Sequence, residues 1–484
     1  MDNLTWTGSL GTILDPILFI LVTILAISIV VQIIMSLFVE APTLQSNPDG
    51  SLIARGGAYG LVSKVTNWSF LGTVAVLAAY LIGGVVMPYG SAGIVGAMAK
   101  QFLPVWIALI VTYALSIYYK RRLGLYGKLF DSTVGMIGFG LVMFWVFTAI
   151  FAGVFDLIAT HDPLAQEAVM KNKVPGTYIR GAEDEGLWPH YLLGGDNLAR
   201  DNFSRMIHGS WVVVRIAPLA TMFAFMVGIT LGLPAGYYGG KLDTFLSFLA
   251  NLILAFPVIL LFYLLVTPEM TQTGLPSFMA AVLFLFPIIF VTVLVNSRFH
   301  TQPPKRNIIL GAALFVMVWL YLSLISQPVT VIDFLPASMD LFNIPGGILV
   351  VFVSVVFVNS PTVFRIVRGL AMDIKTRDYV AAAQTRGEGP WYIMLWEILP
   401  NARGPLIVDF CLRIGYTTIL LGTLGFFGLG LPPESPDWGS TINEGRRLLQ
   451  IYIHPVLPPA LALLSLVLGL NLLADGLREE SLKD

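Results

Sequence analysis

Long apolar runs separated by short polar loops dominate this chain. Each run holds about 20 residues, which is the length that a helix needs to cross the hydrocarbon core of a bilayer. The pattern predicts eleven membrane-spanning helices, with ends uncertain by a few residues. The predicted spans are 15–38, 67–87, 102–119, 132–156, 211–236, 243–267, 276–296, 308–326, 346–364, 404–429 and 456–474. We therefore expect an all-α polytopic membrane protein of about 11 transmembrane helices.

The positions of Lys and Arg predict the orientation of these helices, because basic residues collect in cytoplasmic loops. They cluster in three loops, at 120–128, 298–306 and 365–403. With these loops inside, the inner side holds 18 of the 28 Lys and Arg residues. The N-terminus then lies outside the membrane and the C-terminus lies in the cytoplasm. The opening residues MDNLTWTGSL lack a basic n-region, so we expect the first apolar run to be retained.

Composition excludes several classes of protein. The chain is 56% hydrophobic and 12% charged, with a mean hydropathy of +0.80, whereas soluble domains carry about 25% charged residues. The net charge of −1 gives no sign of nucleic-acid binding. The single cysteine, Cys411, excludes an intramolecular disulfide and a cysteine-based metal site. The five histidines are scattered without ligand spacing, so we predict neither a metal site nor catalytic residues.

The nearest approach to a phosphate-binding loop is Gly239-Gly240-Lys241, between two predicted spans. It lacks the upstream glycine of a P-loop, and Leu242 stands where Ser or Thr would bind magnesium. We interpret it as a tight turn. No other segment resembles a nucleotide site, so any ATP hydrolysis is expected on a different chain.

A polar stretch, Asp378 to Asn401, interrupts the apolar pattern and reads DYVAAAQTRGEGPWYIMLWEILPN. Three consecutive alanines favour a short first helix with a slim face. Gly387 is placed to end that helix in the left-handed conformation. Gly389 and Pro390 suit the start of a second short helix, and Pro400 is expected to end it. We call residues 378–401 the coupling loop, for reasons given below.

Two further stretches carry polar residues at the predicted outer side. The segment 157–210 contains YLLGGDNLARDNFSRMIHGS, in which the spacing allows local ion pairs. Its charged residues are Asp196, Arg200, Asp201 and Arg205. One reading is a solvated amphipathic helix on the outer surface; the other is a direct role at an outer gate or binding-protein interface. Span 404–429 ends in GFFGLGLPP, which is followed by ESPDWGSTINEG, and the last span and tail contain NLLADGLREE.

The coupling loop resembles the EAA cytoplasmic loop of binding-protein-dependent ABC importer permeases, which docks into a groove on the ATPase subunit. The matching residues are Asp378, Tyr379, Val380, Ala382, Ala383, Gly387, Leu399, Pro400 and Asn401. Ala381 departs from the family, which usually has Glu there. The resemblance implies ATPase coupling through Asp378, Tyr379, Ala382, Ala383, Gly387, Glu397, Leu399 and Pro400.

The outer motifs resemble those of the oligopeptide, dipeptide and nickel branch, in its second permease subunit. Gly428, Gly430, Trp438, Gly439, Glu444 and Gly445 follow the family order. The resemblance implies an extracytoplasmic gate or binding-protein contact at Asp196, Arg200, Asp201, Arg205, Trp438 and Glu444. It covers a type I importer core at 131–267 and 344–484. Residues 1–130 are then additional N-terminal helices, and 268–343 are an inserted helical hairpin.

The function that this resemblance implies is that of a permease subunit in an ATP-driven importer in a bacterial or archaeal plasma membrane. It further implies a second permease subunit, two cytoplasmic ATP-binding subunits and an extracytoplasmic solute-binding protein. ATP and Mg belong on the ATP-binding subunits, and no cofactor or enzymatic activity is expected on this chain. The resemblance implies peptides or a similar solute by default, and nickel and oligosaccharides remain open.

Three alternatives stay open from the residues alone. A secondary transporter or channel often places ionisable residues at mid-membrane, but most spans here have none, and Arg215 and Arg413 lie near predicted ends. A membrane-embedded enzyme would need clustered histidines and carboxylates. A structural protein with a degenerate coupling loop is disfavoured because Gly387 and Pro400 are retained.

Overall fold

The computed structural model describes residues 3–38, 44–46, 52–54, 57–88, 91–182, 188–325, 346–429 and 435–481. Helices form nearly all of the regular structure in these ranges. The first helices are α1 (Gly11–Phe38), α2 (Gly57–Val86), α3 (Gly93–Gln101), α4 (Leu103–Tyr119), α5 (Leu125–Lys128) and α6 (Thr133–Gly153). The predicted connector at 326–343, Gly430 and Glu434 lie outside the described residues.

The remaining helices include the coupling loop. In the middle of the chain they are α7 (Asn202–Tyr238), α8 (Gly240–Leu254), α9 (Val258–Val266), α10 (Pro268–Gln272), α11 (Leu275–Leu283), α12 (Leu285–Arg298), α13 (Pro303–Ile325) and α14 (Gly346–Ile374). The last are α15 (Asp378–Thr385), α16 (Pro390–Tyr392), α17 (Leu399–Asn401), α18 (Arg403–Phe426), α19 (Trp438–Gly445) and α20 (Leu457–Ser481). A π-helical turn occupies Ile393–Ile398.

Short elements complete the described chain. Single 3₁₀ turns lie at Gly8–Leu10, Lys120–Arg122, Leu129–Asp131, Ala168–Met170 and Arg446–Leu448. Two antiparallel pairs of short strands are β1 (Leu44–Ser46) with β2 (Leu52–Ala54), and β3 (Thr177–Tyr178) with β4 (His190–Tyr191). The predicted all-α class is therefore confirmed.

The helix count agrees with the predicted eleven spans. Within the described ranges, ten helices are long and apolar enough to cross a membrane, and the count reaches eleven if one bent pair is included. That pair is α8 with α9, which are bent by 81°. The sequence predicted one span at 243–267 instead. Pro257 precedes α9, and it breaks the span because it lacks an N–H and disfavours helical geometry at the residue before it.

The chain divides into two compact units, and the first comprises Met1–Trp106 and Ile158–Ser204. Here α1 packs along α2, and Asp15 of α1 accepts hydrogen bonds from the hydroxyls of Tyr80 and Thr7. The N–H of Leu4 donates to the carbonyl of Gly176 at 2.8 Å. The stretch before α1 is thereby joined to the segment that was predicted to lie outside the membrane.

The second unit comprises Ile107–Leu157 and Arg205–Asp484, and small residues let its helices approach closely. Gly228, Gly232 and Gly236 form a stripe on α7 that faces α14. A Cβ added at Gly232 would lie 2.9 Å from Cβ of Val367 and 3.0 Å from the carbonyl oxygen of Phe364. Because apolar burial does not drive association within lipid, such close backbone packing is what joins these helices.

The turn between α7 and α8 confirms one prediction. Gly239 and Gly240 have φ of +67° and +62°, a left-handed conformation that glycine adopts without steric conflict. The Gly-Gly-Lys sequence thus forms a tight turn.

Candidate functional site

The first half of the coupling loop is a helix with a left-handed end. Helix α15 stops at Thr385, and Gly387 has φ of +78°. The N–H of Gly387 donates to the carbonyl of Gln384 at 3.0 Å, and that of Glu388 donates to Ala383 at 3.2 Å. These two bonds form a Schellman motif, which satisfies carbonyls left free at a helix end. The predicted role of Gly387 in the backbone is confirmed.

The second half of the loop is a second helix, as predicted, but Pro400 does not end it. The chain passes from α16 through the π turn at Ile393–Ile398 into α17. Pro400 lies in the first turn of α17, where a missing N–H costs little. The side-chain amide of Asn401 donates to the carbonyl of Glu397 at 2.7 Å. Only Ala402 separates α17 from α18, so the prediction of a stop at Pro400 is wrong.

One side of the coupling loop is buried in the second unit. Val380, Ala383 and Ile398 are fully buried. Together with Ile393 and Met394 of the loop's own π turn, they belong to an apolar cluster with residues of α7, α14 and α18, among them Leu233, Val363, Val367, Ala371 and Leu406. Burial on this scale fixes the loop to three helices at once.

The other side of the loop faces outwards. Of the residues predicted to couple to an ATPase, Asp378, Tyr379, Ala382, Gly387 and Pro400 are exposed, Glu397 and Leu399 are half-buried, and Ala383 is buried. Ala383 therefore packs inside the unit and cannot meet a partner directly. The remaining residues are available on the surface of this chain.

An ion pair joins the two halves of the loop. A guanidinium nitrogen of Arg386 donates to a carboxylate oxygen of Glu397 at 2.9 Å. Glu397 is half-buried and Arg386 is exposed, so the pair closes the turn around Gly387 from the outside. The sequence singled out Glu397 but not its partner.

Further polar contacts, which the sequence did not predict, join α14 to α8 and to the end of α7. On α14, Arg368 donates to both carboxylate oxygens of Asp243 on α8. Lys375 donates to the carbonyls of Gly236 at 2.8 Å and Tyr237 at 3.3 Å, at the C-terminus of α7, where a cation is favoured. These partners are more than 100 residues apart, so spacing alone carries no signal for them.

In the first unit, Asp196 and Arg200 form the predicted local ion pair. Nε of Arg200 donates to Oδ2 of Asp196 at 2.7 Å, and Oδ1 of Asp196 accepts the N–H groups of Leu198 at 2.8 Å and Arg200 at 2.9 Å. Both side chains are buried and precede the start of α7. The reading of this stretch as a solvated amphipathic helix is wrong.

Asp201 is the centre of a buried polar cluster in the same unit. Its Oδ2 accepts hydrogen bonds from Ser204 Oγ at 2.6 Å and Thr160 Oγ1 at 2.8 Å, and His161 Nδ1 lies 3.4 Å away. Burial alone would raise the pKa of Asp201, but His161 and the two hydroxyls outweigh it and hold that pKa below its usual value. The sequence gave no signal for Thr160 or His161 as partners.

In the second unit, α19 contacts the N-terminal part of α7. A guanidinium nitrogen of Arg205 lies 3.2 Å from Thr441 Oγ1 and 3.4 Å from Glu444 Oε2. Trp438 Nε1 donates to the carbonyl of Met206 at 2.7 Å. Arg205 and Trp438 are fully buried. The structure thus brings together three of the predicted outer residues, Arg205, Trp438 and Glu444.

The C-terminal part of α18 packs closely against α19 at glycine residues. A Cβ added at Gly439 would lie 2.1 Å from the carbonyl oxygen of Gly422, and one at Gly425 would lie 2.2 Å from Oδ1 of Asp437. Asp437 also caps α19 by accepting the N–H of Ser440 at 2.9 Å. Burial raises the pKa of Asp437 above its usual value.

The described residues offer little for metal or thiol chemistry. Across those ranges, no group of three or more His, Cys, Asp or Glu side chains is placed to hold a metal ion. Cys411 is a free, buried thiol.

Comparison with known proteins gives a consistent result. The family model described as "Binding-protein-dependent transport system inner membrane component" matches residues 305–479. This match begins inside the predicted hairpin, and the predicted boundaries 1–130, 131–267, 268–343 and 344–484 stay predictions.

Curated relatives cover more of the chain. The dipeptide transport system permease protein of Haemophilus influenzae is 29% identical over 338 residues, which is 70% of this chain and 87% of the relative. A glutathione transport system permease protein of Pectobacterium atrosepticum is 27% identical over 68% of this chain and 85% of its own length. A di/tripeptide transport system permease protein of Pseudomonas aeruginosa is 27% identical over 75% of this chain and 93% of its own length.

These similarities, the ten or eleven apolar helices and the folded coupling loop support one identification, and nothing supports an ion-coupled transporter or a channel. Residues 305–479 match the inner-membrane component of binding-protein-dependent transport systems, and the chain is a multi-pass permease subunit of such an importer.

Proposed function

We propose that this permease carries peptides, or solutes built like peptides, into the cell in a complex driven by ATP hydrolysis. Three of its relatives are named for dipeptide, glutathione and di/tripeptide transport, and this agreement supports the solute class. The chain itself is a permease rather than an enzyme, so the hydrolytic chemistry belongs to other subunits.

The complex contains a second permease subunit, two cytoplasmic ATP-binding subunits that hold ATP and Mg, and an extracytoplasmic solute-binding protein. The C-terminus and the coupling loop lie in the cytoplasm, as the excess of Lys and Arg on that side suggests. Arg205, Trp438 and Glu444, with Asp196, Arg200 and Asp201, belong to the outer side, at the gate or the binding-protein contact.

The coupling role rests on one observation above all. The loop is buried on one side against α7, α14 and α18 and exposed on the other, where Asp378, Tyr379 and Ala382 lie. An ATPase subunit that docks on the exposed side moves three helices through the buried side. Closure of the ATPases on ATP then shifts the helices between two states, and each state is favoured by its own contacts.

A pull-down from native membranes in mild detergent tests this function, with mass spectrometry to identify the co-purifying subunits. Wild type is expected to retain ATPase chains, a second permease and a solute-binding protein. Gly387→Trp is expected to lose the ATPases because a large side chain is introduced at a left-handed position on the docking surface.

Gly181→Trp is the matched control, because Gly181 also has positive φ, at +85°, and open space around its Cα. It lies in the outer segment and should leave ATPase binding unchanged. Recovery of wild type without any ATPase chain would refute the proposed coupling.

A further inference from the structure

The inserted hairpin touches the coupling loop at its cytoplasmic corner. Helix α12 ends at Arg298 and α13 begins at Pro303. We call Ser297, Arg298 and His300 the hairpin corner. The hairpin corner lies before residue 305, where the match to the family model begins, whereas most of α13 lies within that match.

Two residues of the hairpin corner hold Trp396, which lies in the π turn of the coupling loop. The indole Nε1 of Trp396 donates to Ser297 Oγ at 3.1 Å. The guanidinium carbon of Arg298 lies 4.5 Å from the centre of the Trp396 ring, which is within the range of a cation–π contact. Ser297 is buried, so its hydroxyl is a shielded acceptor for a half-buried indole that needs one.

The third corner residue contacts the region just after Gly387. The ring of His300 lies edge-on to that of Tyr392, with centroids 5.5 Å apart. His300 Nε2 is 3.9 Å from a carboxylate oxygen of Glu388, and His300 Nδ1 is 2.9 Å from the carbonyl of Ser297. The corner therefore reaches the start of the second coupling helix as well as its middle.

Apolar packing continues these contacts into the unit. Phe290, Val293 and Leu294 of α12 pack against the cluster that buries the coupling loop. Phe290 and Val293 also line a small apolar cavity with Trp391 and Leu395 of the loop. The hairpin thus meets the loop through polar contacts at the corner and through apolar contacts along α12.

We propose that the hairpin corner is a positioning brace for the coupling loop, in which Ser297 and Arg298 orient Trp396 and so hold the second coupling helix in the geometry that an ATPase subunit binds. The inference rests on the proposed coupling function. It assigns a task to the predicted hairpin.

Hydrogen exchange on the full-length chain in lipid nanodiscs tests the contact itself. The double variant Ser297→Ala with Arg298→Gln is expected to speed the exchange of amides at 393–402 by about fivefold or more, the effect of losing one ordinary hydrogen bond. Trp396→Phe removes the N–H donor while keeping an aromatic ring, and it should give a similar change over the same amides. Lys305→Gln, which removes an exposed charge from the first turn of α13, should leave them as in wild type.

A pull-down then tests the consequence, and it separates this inference from the proposed function. We expect the double variant to retain less than half of the ATPase chains held by wild type, and Ser297→Thr with Arg298→Lys to restore them. If the double variant retains as many ATPase chains as wild type does, the brace is overturned and the proposed function still stands. Absence of ATPases from wild type would overturn both. Unchanged exchange at 393–402 in both the double variant and Trp396→Phe would also overturn the brace.

Discussion

Arg386 and Glu397 lie 2.9 Å apart and close the coupling loop across its turn. Arg386 directly follows α15 and Glu397 lies in the π turn, so Gly387 and α16 lie between them in the chain. The left-handed turn sets the direction of the second helix, and the ion pair holds its middle against the end of the first. The loop is thus a small folded body with its own contacts.

Replacing Glu397 by Gln should loosen this body only slightly. The Arg386 side chain is 56% exposed, and exposed ion pairs contribute about 0.2–1 kcal/mol. We expect a fall of that size in the free energy of unfolding, measured by chemical denaturation of the purified chain. Raising the salt concentration should shrink the difference from wild type, because salt screens exposed charges. A difference that is independent of salt would contradict an electrostatic role for the pair.

Gly387→Ala should destabilise the loop, whereas Gly389→Ala should not. The left-handed conformation costs a non-glycine residue roughly 1–2 kcal/mol. Gly389 has φ of −69° and ψ of 154°, a conformation open to alanine, which then stabilises by about 0.4–1 kcal/mol. Neither added methyl group meets another atom, so the comparison isolates the backbone. Hydrogen exchange of amides 384–392 in the two variants measures the difference in stability of the loop. Equal protection of these amides in both variants would contradict the explanation.

Gly232→Leu should prevent close packing of α7 on α14. The new side chain would collide with the backbone of Phe364 as well as with Val367, and backbone cannot move aside cheaply. We expect a large loss of folded protein, scored by size-exclusion profile and thermal unfolding in detergent. Gly311→Leu is the control, because Gly311 on α13 has open space around it, and its profile should match that of wild type.

Arg205→Met should weaken the contact between α7 and α19. Arg205 is fully buried beside Thr441 and Glu444, and losing hydrogen bonds of a charged group costs about 1.5–3 kcal/mol. Thermal unfolding should show the loss, while Arg447→Gln, at an exposed position after α19, should be nearly neutral. A stable Arg205→Met protein would mean that packing, rather than the buried charge, holds this contact.

Asp201 should make stability depend on pH in the acid range. Its folded pKa lies below the ordinary value of 3.8, so its carboxylate stabilises the folded state fully above that value. The stabilisation is lost as the pH falls through the folded pKa. The difference in melting temperature between wild type and Asp201→Asn should be constant at neutral pH and shrink below 3.8. A difference that grows on acidification would contradict the assigned direction.

Local chemistry made much of the fold predictable. Gly387 and the Gly239-Gly240 turn follow from the conformations that glycine alone adopts easily, and the spans follow from the length of apolar runs. Pro400 was misread because its effect depends on where a helix begins, and α17 begins one residue before it. The bend at Pro257 was missed because the apolar run continues across it.

The contacts of the candidate site were harder to foresee. Asp243 with Arg368 and Trp396 with Ser297 are pairs from distant parts of the chain, and no spacing rule connects them. Ala382 and Ala383 are identical in sequence, yet one is exposed and the other buried. Only the packing of α15 on the unit decides which of them can meet a partner.

The continuity from the coupling loop into α18 has a consequence for the order of events. Only Ala402 separates α17 from α18, and α18 spans 24 residues, or roughly 36 Å. Its far end is locked to α19 by Gly422 and Gly439. We therefore expect a displacement of the loop and a displacement of α19 to occur together, as one event. Immobilising either end of α18 should then prevent the displacement of the loop and that of α19.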